Sequence, residues 1–241
     1  MTYVIPMAGH GSRFKEAGYS KPKMLIEVHG KTLLEWSVDS LPLDICEHLI
    51  FICLKEHEDA YNLSKLIKAL YEEKVSQLSF IYLDTVTRGQ AETVLKAKHI
   101  MEPLKDLVIF NIDTYFQSSS IKNALLRTDT DGVIGAFYSK EDRFSFAKVG
   151  SDGYVSETAE KVAISNVALT GLYHFKHASD FIKIAEHHIK RNITTKNEFY
   201  IAPMYNDLIN EGKKYIVDIA GSHWILGTPF ELEYFRKEFK I

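Results

Sequence analysis

The sequence predicts an α/β domain: a mostly parallel, mixed sheet with helices on both faces. Three observations carry that expectation. Short apolar runs alternate with amphipathic stretches in a β-α-β-α-β-α-β rhythm through the first half. The run His48-Leu-Ile-Phe-Ile-Cys-Leu54 is apolar almost throughout, the mark of a strand covered on both sides. A turn carrying Gly9 and Gly11 follows the first apolar run directly, and ligands of such sheets sit at strand ends of this kind.

Tyr3-Val4-Ile5 opens the chain as a strand. Residues 24–28 form a short extended piece ended by Gly30. Residues 32–41 make a helix with Leu34, Val38 and Leu41 on one face, stopped by Pro42. Beyond the strand at His48–Leu54, residues 59–74 are helical, striped by Leu63, Ile67 and Leu70. A strand at 78–83, a helix at 90–101 and a buried strand at 107–112 follow. The second half is less regular. It reads as a short helix at 119–127, a strand at 132–138, and a hairpin of 144–149 with 154–160 turning at Ser151-Asp152-Gly153. A strand at 168–175, helices at 178–191 and 198–211 and a strand at 214–219 come next. A loop at 223–229 leads into a terminal helix. No repeat, linker or low-complexity tract interrupts the chain, so a single domain over 1–241 is expected.

At 241 residues the chain can bury a real core, and 46% hydrophobic with 25% charged residues is ordinary for a globule. A net charge of −3 argues against a nucleic-acid partner held by bulk electrostatics. Cys46 and Cys53, the only cysteines, both lie in or beside apolar runs and read as buried thiols of a reducing compartment. No signal-peptide pattern and no membrane-length apolar segment is evident, which makes the cytoplasm the expected location.

Against that mildly acidic background, Arg13, Lys15, Lys21 and Lys23 crowd behind the glycine turn. Glycines let backbone N–H groups approach a ligand closely, and fixed positive charge beside them suits phosphate oxygens. The turn is not a P-loop, because Ser12-Arg13 stand where Lys-Ser or Lys-Thr is required. Nor is it the dinucleotide fingerprint, whose third glycine is Phe14 here. Asp113 closes a buried strand, and a carboxylate beside a triphosphate suits Mg²⁺, which one or two carboxylates usually hold together with substrate phosphates. Asp129-Thr130-Asp131 spells the D-x-D of metal-dependent glycosyltransferases but reads as a solvated turn before Gly132. The ten histidines, His187-His188 included, show no ligand spacing and read as helix surface.

Gly9-x-Gly11-Ser12-Arg13-Phe14 with the later Pro22-Lys23 resembles the signature of the sugar-phosphate nucleotidyltransferases, or pyrophosphorylases. The resemblance implies the nucleotide-diphospho-sugar transferase (Rossmann-like) fold and a nucleotide held by Met7, Ala8, Gly9, Gly11 and Ser12. It gives Arg13 to the triphosphate and Lys23 to the phosphates around the bond that breaks. Thr87–Thr93 resembles the base-reading segment, which makes Gly89, Gln90 and Ala91 candidates there, with Thr87 as a helix cap. Asp113 stands where the family has a magnesium ligand, although the usual preceding glycine is Ile112. Glu160-Lys161 resembles the family's Glu-Lys pair, in which Lys161 would contact the acceptor's phosphate and Glu160 its polar groups. Asn166 and Glu198 fall in later segments that also resemble the family and join them as acceptor-binding candidates. Trp224 to Pro229 matches a later landmark, with one departure: a second metal-binding aspartate is replaced by Ile225 and Leu226. Asp218 is the nearest acidic substitute.

The resemblance implies transfer of NMP from an NTP to a phosphorylated acceptor with release of pyrophosphate, assisted by Mg²⁺. The loop, Lys21-Pro22-Lys23, Gly89-Gln90 and Asn197-Glu-Phe-Tyr200 together look most like a branch of small capsule and surface-polysaccharide enzymes. That branch is similar to cytidylyltransferases acting on phosphocholine or phosphoglutamine. CTP is therefore the expected donor, with a sugar 1-phosphate or a phosphorylated amine or amide as acceptor. No nucleic acid or membrane partner is expected, and a homodimer is left open. Two alternatives stand beside this reading: a metal-dependent glycosyltransferase of the same fold type and a non-catalytic nucleotide sensor.

Overall fold

The computed structural model describes residues 1–240. In chain order its elements are β1 (Thr2–Pro6), α1 (Ser12–Glu16), β2 (Glu27–Val28), β3 (Lys31–Thr32), α2 (Leu33–Val38), β4 (His48–Leu54), α3 (Lys55–Tyr61), α4 (Leu63–Tyr71), β5 (Gln77–Leu83), α5 (Gln90–Leu95), β6 (Leu107–Phe110) and β7 (Thr114–Gln117). The second half adds α6 (Ile121–Leu125), β8 (Gly132–Tyr138), β9 (Ser145–Val149), β10 (Val155–Glu160), β11 (Val167–Phe175), α7 (Ala178–Arg191), α8 (Tyr205–Asn210), β12 (Tyr215–Ile219), β13 (Ser222–Ile225) and α9 (Pro229–Glu238).

The expected parallel run is present as β5-β4-β1-β6, paired in parallel throughout. Every residue of β4 is buried, as its continuous apolar sequence requires. Beyond β6 the sheet turns antiparallel through β11, which also pairs β8, while β8 and β12 run parallel. The hairpin β9–β10 completes nine strands. Residues such as Val4, Ile50 and Ile109 face one apolar cluster, while Tyr3, Phe51 and Phe110 face another, so both faces of the sheet are covered. Among the described residues no helix is long and apolar enough to cross a membrane.

Several boundaries differ from the sequence expectation. The helix expected over 59–74 is two, α3 and α4, because Asn62 adopts a left-handed conformation (φ 50°) between them. Residues 24–28 are not all extended, since Lys23–Leu25 is a 3₁₀ turn. The helix expected over 90–101 ends at Leu95 and resumes as 3₁₀ at Lys98–Ile100. That over 198–211 is helical only from Ala202, with Pro203 in its first turn. The loop expected at 223–229 begins inside β13, which pairs antiparallel with the unanticipated β7. His188 is not surface: it is buried and bonds Asp207 at 2.6 Å between α7 and α8.

A third apolar cluster ties the ends of the chain to the glycine loop. Phe14 of α1, Trp36 of α2, Tyr115 of β7 and Phe235 of α9 pack together, and Trp36 packs edge-on against Phe235 at 5.1 Å. Thr32 caps α2 in a reciprocal box with Glu35.

Candidate active site

A cleft of about 630 Å³ opens where β1, β6 and the β5–α5 loop end, within the usual range for small-molecule sites. Met7, Ala8, Gly9 and Gly11 form one wall. The backbone N–H groups of Ala8, Gly9, His10 and Gly11 make no hydrogen bond among the described residues, so they remain free for anionic oxygens. Gly11 takes φ 62°, and a Cβ on it would press against Lys23 Cβ at 3.3 Å. That close approach brings Lys23 into the cleft. Ser12 and Arg13 start α1 beside this wall, exposed and outside the lining.

Lys23 Nζ donates to Asp113 Oδ2 at 2.7 Å. Burial acts to raise the Asp113 carboxyl, but the Lys23 ammonium outweighs it and holds the group below the usual carboxylate range, with Arg13 adding to the effect. Asp113 sits between β6 and β7, and its carbonyl accepts from Leu226 N–H at 2.7 Å, which fastens it to the late Gly-Thr segment. Gly227 leaves space there: a Cβ on it would stand 3.4 Å from both Asp113 Oδ2 and Glu231 Oε2. No group of three or more candidate ligands occurs among the described residues. One carboxylate with space beside it and phosphate-ready amides nearby nevertheless fits Mg²⁺, whose other ligands are usually phosphates and water.

Gly89 lies at φ 145°, and a Cβ on it would collide with the Phe199 backbone. Phe199 N–H donates to Arg88 O and Ala91 N–H to Phe199 O, so the β5–α5 loop and residues 197–200 are pinned together. Gln90 lines the cleft and donates to Asn111 Oδ1 at 2.5 Å. Ala91 is buried, outside the lining. Thr87 does not cap α5. Its hydroxyl donates to Gly89 O at 3.0 Å and meets the Thr93 hydroxyl at 2.6 Å.

The opposite wall carries Ser145, Glu160, Tyr173, Asn197, Glu198 and Tyr200. Burial raises the Glu160 carboxyl above its ordinary value, partly countered by the Ser145 hydroxyl that donates to it. Lys161 is not in the lining: its ammonium donates to the Tyr200 hydroxyl at 2.5 Å and lies over that ring. Asn166 is exposed at the start of β11, also outside.

Asp218 is a correction. It is buried at the far side of β8, and its two carboxylate oxygens accept from Ser118 and Ser120 at 2.6 and 2.5 Å. The structure does not bring it to the cleft or to Asp113. In the D-x-D stretch, Asp131 accepts from Lys213 Nζ and Lys214 N–H, and Asp129 pairs with Arg127, so both carboxylates serve the turn. Sequence reasoning missed Asn111, Arg143, Tyr173 and His223, which line the cleft. The β7–β13 pair delivers His223, and each β7–β13 strand has only four residues, too few to show a period. Burial first and Arg143 second push the His223 imidazole down to about 4, so it is neutral in the cleft at pH 7.

Residues 3–224 match the model of a protein family described as Nucleotidyl transferase. The structure of a nucleoside-diphosphate-sugar pyrophosphorylase from Vibrio cholerae RC9 is 33% identical, with TM-score 0.84, covering 98% of this chain and 100% of that one. A putative glucose-1-phosphate thymidylyltransferase from Bacillus anthracis (18% identity, TM-score 0.77) covers 100% of this chain and 97% of its own. An inositol-1-phosphate CTP transferase from T. maritima (14%, 0.75) has the same two coverages. Both share the fold. A bifunctional sugar-1-phosphate nucleotidylyltransferase/acetyltransferase from Sulfurisphaera tokodaii is 20% identical over 235 residues, 96% of this chain. The chain spans about half (54%) of the length of that relative.

Proposed function

The chain belongs to the nucleotidyl transferase family, and from that premise we propose that it transfers NMP from an NTP to a small phosphorylated acceptor and releases pyrophosphate. The observation that carries this reading is the Lys23–Asp113 pair, held at 2.7 Å beside four unpaired loop amides. In this reading the amides of Ala8 to Gly11 and the Arg13 guanidinium bind the β and γ phosphates. Lys23 neutralises charge that develops near the α-phosphorus. Asp113, with the phosphates, would hold Mg²⁺, which supplies Lewis-acid stabilisation of that charge. The acceptor's phosphate oxygen is already ionised at neutral pH and attacks in line, so no general base is needed. Positioning and charge neutralisation supply most of the rate.

The donor we propose is CTP. The β5–α5 loop, clamped against the Phe199 backbone, gives Gln90 and the Gly89 backbone a fixed rim, and a narrow rim favours a pyrimidine by size. On the acceptor side, Glu160, Glu198 and Tyr200 present oxygens that suit hydroxyl or ammonium groups. A sugar 1-phosphate or a phosphorylated amine or amide, as used in capsule and surface-polysaccharide assembly, has that chemistry. The test is incubation with each NTP and a panel of such acceptors, following pyrophosphate. Turnover with CTP first and UTP second is expected. Activity confined to ATP or GTP would remove the pyrimidine assignment, and no pyrophosphate from any pair would remove the reaction.

A further inference from the structure

We propose that Asn111 is a positioning residue that sets the nucleotide preference: it turns the Gln90 amide so that its carbonyl oxygen meets the base, which selects cytosine over uracil. This rests on the pyrimidine donor proposed above. A narrow rim excludes a purine by size, but cytosine and uracil have nearly the same shape. They differ in polarity, because cytosine carries an N4 amino donor where uracil has an O4 acceptor. Separating them takes a polar group whose donor and acceptor ends cannot exchange.

Gln90, at the start of α5 and in the cleft lining, is such a group only if its amide is held. A free amide rotates to offer oxygen or N–H alike. Asn111 holds it, because Gln90 Nε2 donates to Asn111 Oδ1 at 2.5 Å. That bond occupies the N–H arm and leaves the Oε1 arm over. Gln90 Oε1 has no hydrogen-bond partner among the described residues and is not sealed away from solvent. An oxygen held there accepts from cytosine N4–H and repels uracil O4. Asn111 is placed in turn by the sheet. It directly follows β6, and the ladder that pairs Phe110 with Leu172 sets Gly171 of β11 opposite it. Gly171 takes φ 90°, where β11 shifts register against β8, and a Cβ on it would collide with the Asn111 side-chain amide. The glycine makes the room in which that amide lies.

The test measures the Kd of CTP and of UTP with Mg²⁺ by isothermal titration calorimetry, without acceptor, and reads their ratio. Thermal melting establishes folding. Wild type is expected to bind CTP more tightly than UTP. Asn111→Leu, close in size but with no acceptor, should shrink that preference roughly 3- to 10-fold. Asn111→Asp, which can only accept, should keep CTP ahead even though its charge weakens both nucleotides. Gly171→Ala displaces the Asn111 amide without altering it, should shrink the preference in the same way, and decides the matter if Asn111→Leu does not fold. An unmoved ratio, including an equal loss for both nucleotides, overturns the proposal. So does a preference for UTP in Asn111→Asp, or a wild type that binds UTP as tightly as CTP. Titration of wild type with ATP and GTP separates the two kinds of failure. Purine preference, or no nucleotide binding, removes the donor reading and this proposal with it, whereas pyrimidine binding with an unmoved ratio removes the role of Asn111 alone.

Discussion

Asp113 and Lys23 are the residues on which the proposed chemistry turns. Replacing Asp113 by Asn keeps the shape but removes the charge that balances Lys23 and suits Mg²⁺. The folded protein should lose about 100-fold or more in kcat, on the scale of several kcal/mol of charge stabilisation, measured as pyrophosphate release at saturating Mg²⁺. Unchanged turnover would remove Asp113 from the mechanism. Arg13→Ala and Lys23→Ala should diverge. Arg13, exposed beside the loop, should mainly raise the NTP KM, whereas Lys23, inside the cleft, should mainly lower kcat. Equal effects on both constants would contradict that division. These residues were legible in the sequence because glycine spacing and a strand-end carboxylate are local patterns. Arg143, Asn111 and His223 were not, because each acquires its place from a chain segment distant in sequence. Asp218 misled for the same reason: its strand end is real, but Ser118 and Ser120 reach it from another element and occupy it.

The two glycine-bearing loops differ in what fixes them, and single substitutions should separate the cases. Gly89 has the Phe199 backbone against it and φ 145°, so Gly89→Ala should cost about 2 kcal/mol or more and lower Tm by roughly 4–8 °C. Gly9 has nothing within 4 Å of its Cβ position, so Gly9→Ala should leave Tm almost unchanged and act, if at all, on the NTP KM. Equal Tm losses in a thermal melt would contradict this contrast. The continuous apolar run of β4 and the long amphipathic stretch of α7 were plain in the sequence. The break at Asn62, the pinned segment 197–200 and the β7–β13 pair were not. One depends on a single left-handed residue, and the others on partners far along the chain.

The whole molecule carries an acid sensitivity set by buried imidazoles. Burial is the leading cause that holds His48, His57, His174 and His223 below their ordinary value. In the unfolded chain they take up protons near pH ~6.5, which the folded chain refuses. Their contribution to stability is therefore full above that pH and is lost as acid carries the solution below it. Glu160, raised by burial, opposes this only near the carboxylate range. Tm should be flat between about pH 7 and pH 8 and decline toward pH 5, less steeply in His223→Gln, while above about pH 8.5 the buried Cys46 and Cys53 thiols, pushed up by burial, make it fall again; a Tm that rises on acidification from pH 7 would contradict the assignment. At this scale the sequence was a good guide: the parallel half of the sheet follows from apolar alternation, while the antiparallel turn at β11 depends on pairing that alternation does not encode.

The most direct test of the central claim follows the α-phosphorus itself. CTP labelled there is incubated with the protein, Mg²⁺ and a sugar 1-phosphate or phosphorylated amine, and the products are separated. The account predicts label in a new CMP–acceptor compound joined through a pyrophosphate bond, with one unlabelled pyrophosphate released per acceptor consumed, and loss of both in Asp113→Asn. Label recovered only as free nucleotide, or left in intact CTP while the protein binds it, would contradict nucleotidyl transfer to these acceptors.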